Sequence, residues 1–438
     1  MRPKNELFRV QKTGLFTNLD QIIDSYHPLA QLAGAIHWER FDEQFGKLYT
    51  RKGRPGIPTR LMVALHYLKH TYNESDETVV RRMVENPYWQ FFCGFNEFLH
   101  KAPIDRSSMS RWRKMVGKSG LEVLLQETLA VAYELKHLRK SQLDDVVVDT
   151  TVQEKNISFP TDAKLINKAR EQVVKAAQKR GIDLRQSYVR VGKTELAQYS
   201  RYAHAKQFKR ARRSLRRLKT YLGRVIRDVQ RKCDSIDSEF SELLQRAVKI
   251  HNQKKSSKNK IYSWHEPKVD CISKGKAHKR YEFGCKVSLM TTSRSHWIVG
   301  CIAHHGGPYD GHTLPEVLEH TKRITGRLPS NVYADKGYRR KKADMPALGS
   351  VQLHIPGTKR GKTKRQIRLL RKRSSIEPII GHMKHDHRMA RNFLKGVEGD
   401  HFNALLAASG KNLSKLLALV ALSPYFFQIF WYLSFTNA

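Results

Sequence analysis

The sequence predicts an α/β protein in which a helical amino-terminal region precedes a mixed sheet, and in which a long basic helical insertion splits that sheet. Three observations lead there. Apolar residues recur at helical spacing early in the chain, short β-rich runs cluster late, and one strand-like run stands alone ahead of a charged, proline-poor stretch. At 438 residues the chain can hold two or three domains with cores of their own.

Residues 1–140 read as helical and basic. In Pro58 to Tyr72, the positions Leu61, Ala64, Leu65 and Leu68 form an apolar stripe, and Ser75-Asp76-Glu77-Thr78 supplies caps for a second helix through Met83. Ile104-Asp105-Arg106-Ser107-Ser108 then leads a short helix that ends near Gly117. Its basic, serine-rich leading end suits a helix-turn-helix reader of the DNA major groove, with Arg106, Arg111 and Arg113 as contacts. An ordinary solvated basic face has the same pattern.

Residues 141–160 open the sheet with Val146-Val147-Val148, closed by Asp149. Residues 161–260 are the insertion. Within Arg201 to Lys232 thirteen positions are Lys or Arg and only Asp228 is acidic, so the stretch repels itself unless a polyanion lies along it. Leu215, Leu218, Leu222, Val225 and Val229 make a narrow helical seam. That seam fits a helical hairpin, a coiled-coil partner, or packing within its own domain.

Residues 261–422 complete the sheet. Tyr281 to Thr292, Trp297 to Ala303, Asn331 to Asp335 and Val351 to Ile355 read as strands, and Thr313-Leu314-Pro315 as a helix start with proline just inside. Basic residues from Lys359 to Arg373 lead into a helix bearing Glu377, and a last helix covers Phe402 to Leu422. Residues 423–438 are an apolar tail. Leu416 to Phe435 carries no charge and is about long enough to span a bilayer, but Pro424 interrupts it; a core helix ending near Leu422 is the expectation.

Lys plus Arg outnumber Asp plus Glu by 81 to 40, a net charge of +41 that favours polyphosphate partners through counterion release. A basic RNA-associated protein is the blander alternative that the charge leaves open. The five cysteines are scattered without a Cys-x-x-Cys pair, which argues against a disulfide framework or structural zinc and suits a reducing cytosol. Met1 to Lys12 is basic and lacks the apolar run of a signal peptide.

Three acids stand out in this basic chain. Asp149 and Asp335 each close an apolar strand-like run, and Glu377 sits on a helix. Carboxylates on rigid elements are what hard divalent cations need in phosphoryl transfer, although a strand-end aspartate is also a common turn former. On one continuous helix Arg373, Glu377 and Lys384 would fall within about 60° of one another. An Arg-Glu pair four apart is more often a plain surface ion pair.

The blocks VVVDTTV around Asp149, VYADKGY around Asp335 and RSSIEPIIGHMK around Glu377 resemble the acidic triad and Tyr-Arg-Glu-Lys signature of DDE transposases of bacterial insertion sequences. The similarity is greatest to the insertion-sequence-five group, and YEFGCKVSLMTT, GPYDGHTL and GDHFNALLAASGKNL extend it. One departure stands: the tyrosine three residues before Arg373 is Leu370. The resemblance implies a ribonuclease H-like core with Asp149, Asp335 and Glu377 as catalytic metal ligands. It implies two Mg2+ ions about 4 Å apart, with Mn2+ able to substitute. It also implies Arg373 and Lys384 as grips on DNA phosphate, double-stranded DNA as partner, a homodimer or higher assembly, and a cytoplasmic, nucleoid-associated bacterial protein. Phosphodiester hydrolysis at the element ends would precede joining of the freed 3′-hydroxyls to target DNA.

Other residues near these blocks read more plainly. His382, His385 and His387 are poor ligands for oxygen-seeking Mg2+. His304 and His305 read as DNA-facing or structural, Asp310 as a turn former or outer carboxylate, Asp400 as a helix cap, and Trp38, Trp89 and Trp112 as core.

Overall fold

The computed structural model describes residues 18–49, 56–233, 237–254, 256–273, 279–339, 349–357 and 363–436, with side chains described to residue 422. The chain forms two compact units, one of Met1–Lys155 with Gly284–Ala438 and the other of Asn156–Phe283.

The first unit begins with α1 (Pro28–Ala35), α2 (Trp38–Phe45), α3 (Thr59–Thr71), α4 (Asp76–Glu85), α5 (Pro87–Phe92) and α6 (Arg106–Glu134). Ser75 starts α4 as expected, in a reciprocal capping box with Thr78. Gly117 breaks α6 with φ 64° and ψ −170°, a left-handed conformation that glycine tolerates, so the short helix does end there before a second begins. α3 is buried around nearly its whole circumference. Consequently the amino-terminal helices have no core of their own: Phe41, Leu65 and Trp112 belong to the same apolar cluster as Val147, Leu289 and Leu405. Trp89 and Trp112 are core residues, as read from sequence, and Trp38 is half-buried.

The second unit holds α7 (Asp162–Lys179), α8 (Val189–His204), α9 (Phe208–Lys232), α10 (Ser238–Asn252) and the short strand β2 (Asp270–Ser273). β1 (Asp145–Lys155) precedes it in the chain. Its residues 156–283 compare with the 161–260 expected for the insertion. Leu218, Leu222, Val225 and Val229 of α9 are buried with Leu215 packed beside them, in a core shared with Val173, Phe240 and Trp264. The seam is therefore satisfied inside its own unit, which removes the coiled-coil partner reading.

The remaining elements are β3 (Tyr281–Thr292), β4 (Ile298–His304), α11 (Asp310–Thr325), β5 (Asn331–Tyr333), β6 (Gln352–His354), α12 (Lys364–Arg371), α13 (Ile376–His385), β7 (Arg391–Asn392) and α14 (Gly396–Thr436). The core of the sheet runs β4-β3-β1-β5-β6. β1 is antiparallel to β3 and parallel to β5, β3 is antiparallel to β4, and β5 is parallel to β6. Three antiparallel strands extended by two parallel ones make the mixed sheet that the sequence predicts. α14 differs from expectation, since its backbone passes Pro424 and reaches Thr436. Proline forfeits one helix hydrogen bond, and no glycine follows to stop the helix. The stretch Gly396–Leu422 is long and apolar enough to cross a membrane, yet 56% of its most apolar window is buried inside the protein.

Buried histidines are expected to make this fold acid-labile. Burial first, then the neighbouring cations Arg113, Arg323 and Lys118 respectively, push His66 and His320 down to about 3 and His401 to about 4. Below about pH 6.5 the unfolded chain takes up protons that the folded one refuses, so stability falls as pH drops toward 4. Each histidine contributes about 1.4 kcal/mol of loss per pH unit. Urea midpoints at pH 7.5 and 5.0 check this; the midpoint at 5.0 is expected to be markedly lower.

Candidate active site

Asp149 is the fifth residue of β1, in the middle of an eleven-residue strand. The sequence placed it at a strand end; the polar run Thr150-Thr151 does not end the strand because β3 pairs along it as far as Glu154. Its side chain is half-buried, and Thr150 N–H donates to its Oδ1 at 2.7 Å. Asp335 does follow a strand end. It lies two residues past β5, where its Oδ1 accepts from Gly337 N–H at 2.8 Å and caps a 3-10 turn.

The register brings these two acids together. Val147 pairs with Tyr333 in the parallel β1–β5 ladder, and two residues further on each chain stand Asp149 and Asp335. A Cβ at position 337 would lie 2.9 Å from Asp335 Oδ1 and 3.1 Å from Asp310 Oδ2, so glycine makes room for two carboxylates there. The buried Tyr338 phenol reports the same convergence. Burial, then the charges of Asp149, Asp310 and Asp335, hold its pKa well above the usual value.

Asp310 is thus a third acid beside Asp149 and Asp335, reached by the start of α11 rather than serving as a simple turn residue. Its Oδ1 accepts from Thr150 Oγ1 at 2.8 Å and from Lys286 Nζ at 2.7 Å, while Lys286 also donates to Pro308 O at 2.6 Å. Lys286 projects from β3 with only 11% of its side chain exposed. A chain of contacts therefore runs Lys286, Asp310, Thr150, Asp149. Sequence reasoning missed Lys286; a lysine inside the otherwise apolar and hydroxylic run Cys285 to Thr292 was the available signal.

Glu377 lies in the first turn of α13, exposed, on a helix that packs against β1. Arg373 falls outside that helix, in a 3-10 turn of residues Lys372–Ser375. Three residues per turn there alter the angular count, so the shared face predicted for all three holds only for Glu377 and Lys384, seven residues and about two turns apart on α13. Arg373 and Lys384 are both half-buried.

The amino-terminal arginines divide. Arg106 is exposed and paired with Glu77, and Arg111 is exposed and donates to Ser107 and Ser108. Arg113, expected at DNA, is instead 2% exposed and grips Asp76 with both terminal nitrogens at 2.9 and 2.5 Å. It is an interior ion-pair residue, because the helix face that carries it is the one that packs on α3 and α4.

Carboxylate oxygens are the donor set that hard divalent cations take, so Asp149, Asp335 and Glu377 fit such ions chemically. Among the described residues, the group of three ligand-type side chains with all donor atoms within 4.8 Å of one another is Cys285, His305 and Asp400. In the Cys285 group a cation is already present: Lys155 Nζ lies 2.9 Å from Asp400 Oδ1, with Asn392 at 2.7 Å and His305 at 3.1 Å from the carboxylate. Asp400 sits inside α14 and holds Lys155, so it is no helix cap, and His305 is structural.

Two segments match known families. Residues 17–115 match a transposase domain (DUF772), and residues 247–410 match the transposase DDE domain, which contains Asp335 and Glu377. Asp149 lies between the two segments. An uncharacterised protein, ORF8 in the nfe locus of Rhizobium meliloti, is 53% identical over 205 residues, 47% of this chain and 96% of that protein. No solved structure matches the chain. With the β1–β5 register setting Asp149 beside Asp335, and both transposase domains matching around a ribonuclease H-like mixed sheet, the chain belongs to the DDE transposases of insertion sequences.

Proposed function

We propose that this transposase, a member of the insertion-sequence-five group, binds the terminal inverted repeats of its element, hydrolyses phosphodiesters at the element ends and joins the freed 3′-hydroxyls to target DNA. The observation that carries this reading is the convergence of Asp149 and Asp335 across β1 and β5, with Glu377 on the helix packed against β1. Two bound Mg2+ ions would supply an activated oxygen nucleophile and stabilise the leaving 3′-oxygen.

The chain's own residues perform the rest. Asp149, Asp335 and Glu377 present oxygen ligands from a strand, a strand end and a helix, three rigid elements. Lys384, two turns from Glu377, and Arg373, in the 3-10 turn that leads into α13, hold phosphate, Arg373 through its planar fork. Arg106 and Arg111 contact the repeat from the exposed leading end of α6. The protein acts as a dimer or higher assembly, because two ends must be processed together.

The Lys286–Asp310 pair positions Thr150 and thereby the Asp149 carboxylate. Asp310→Asn and Lys286→Met are expected to slow single-turnover cleavage about 10- to 100-fold, the usual cost of losing an outer partner of a metal ligand. Cleavage rates measured beside melting temperatures check this, and a rate within twofold of wild type would discard the role.

A gel assay with labelled terminal-repeat DNA and Mg2+ tests the whole reading. Cleavage and joining support it, and chelation is expected to stop both until Mg2+ or Mn2+ is returned. Cleavage without joining would make the protein a two-metal nuclease, and binding alone a non-catalytic derivative.

A further inference from the structure

We infer that a cleft in the Asn156–Phe283 unit, lined by Arg185, Arg224, Arg227 and Arg231, grips the phosphodiester backbone of duplex DNA. The transposase reading supplies only the identity of the polyanion. The cleft encloses about 710 Å3 and lies wholly within this unit.

Charge is the first argument. Four guanidinium groups converge on one concavity whose lining holds a single acid, Asp228. That carboxylate is already engaged: it accepts from Arg185 N–H at 2.8 Å and lies 3.4 Å from Arg231 and 3.6 Å from Lys232. Among the described residues no ion pair engages Arg185, Arg224 or Arg227. A solvated basic face spreads its charges; a concavity that collects them stores repulsion which an anion relieves.

Geometry is the second. Arg224, Arg227 and Arg231 follow one another on α9 at spacings of three and four, on the flank of the buried Val225 and Val229. Seven residues of helix span about 10 Å, the axial length of about three nucleotides of one duplex strand. A row of that length fits a backbone better than a lone phosphate. Arg224 is also held in place, its Nη1 donating to Tyr188 Oη at 3.4 Å. Tyr188 in turn stacks on Tyr221 at 4.7 Å and 9°, and adopts the left-handed conformation at φ 54°.

The test uses the full-length chain and a random-sequence duplex of about 40 base pairs, which offers phosphates without a sequence to be read. In the Arg224→Gln/Arg227→Gln variant, the slope of log affinity against log salt is expected to fall in magnitude by about 1.8, which is about 0.9 for each phosphate no longer neutralised. Arg212→Gln/Arg213→Gln removes two exposed arginines of α9 outside the cleft and is expected to change the slope by less than half as much. Equal changes in the two variants, or no change in the first, would overturn the cleft. If circular dichroism shows that the double variant has lost its fold, the single Arg227→Gln is read instead, with an expected change of about 0.9. Cutting of element ends is scored separately. Wild-type protein that binds but never cuts overturns the transposase reading and leaves the cleft standing; cutting with an unchanged slope in the double variant overturns the cleft alone.

Discussion

Alanine at Asp149, Asp335 or Glu377 is expected to lower strand cleavage by about 10³-fold or more, since even one fixed hydrogen-bond donor to a developing charge is worth 10²- to 10³-fold. Binding of end DNA should remain within about threefold of wild type, because phosphate contacts made elsewhere dominate affinity. Two further readouts separate a catalytic role from a structural one. Removing two acids together should cost little more than removing one, as groups that act as a unit are not additive. The melting temperature of Asp149→Ala should not fall, because Asp149, Asp310 and Asp335 crowd like charges around the Tyr338 phenol and deleting one relieves repulsion. Cleavage rates, filter binding and thermal melts provide the check; one fully active single variant would sink the assignment.

The largest stability effect should come from Asp76→Ala. Its carboxylate meets Lys69 Nζ at 2.8 Å and both terminal nitrogens of Arg113, whose side chains are 5% and 3% exposed. Although burial opposes ionisation, Lys69 and Arg113 hold the Asp76 carboxyl far below its usual range. Deleting it strands two buried cations, at a cost of about 3 to 5 kcal/mol, which is a large part of the ~5 to 15 kcal/mol that holds a domain together. Asp76→Leu with Lys69→Met and Arg113→Met should recover most of that loss, and urea midpoints of the two variants decide it. The sign with pH also separates this site from the histidines. A depressed carboxyl stabilises above its unfolded pKa of about 3.9 and loses that contribution only below it, so weakening between pH 6.5 and 4 belongs to the buried histidines, among them His66, His70, His320 and His401.

Much of the fold was legible because its signals are local. Ser75 and Thr78 announce the α4 cap, Gly117 marks the helix break, and the runs at Val146, Tyr281, Trp297 and Asn331 become strands of one sheet. The failures share a cause. Arg113 looked like a surface contact because a basic residue near a helix start reads the same whether it faces solvent or a half-buried acid 37 positions away. Pro424 looked like a stop because it usually is one, and the α9 seam left its partner open because spacing shows a buried stripe without saying what buries it.

By itself the sequence determined which chemistry is available: three acids in family-specific blocks, a net charge of +41, and apolar periodicities that commit each segment to helix or strand. Tertiary structure alone decided which groups meet. A parallel register between strands almost two hundred residues apart sets Asp149 beside Asp335. The start of α11 and the middle of β3 add Asp310 and Lys286. Such contacts arise from pairing and packing between distant segments, whose geometry no local propensity encodes. Asp149 and Asp335 therefore belong to a larger charged cluster that includes Asp310 and Lys286.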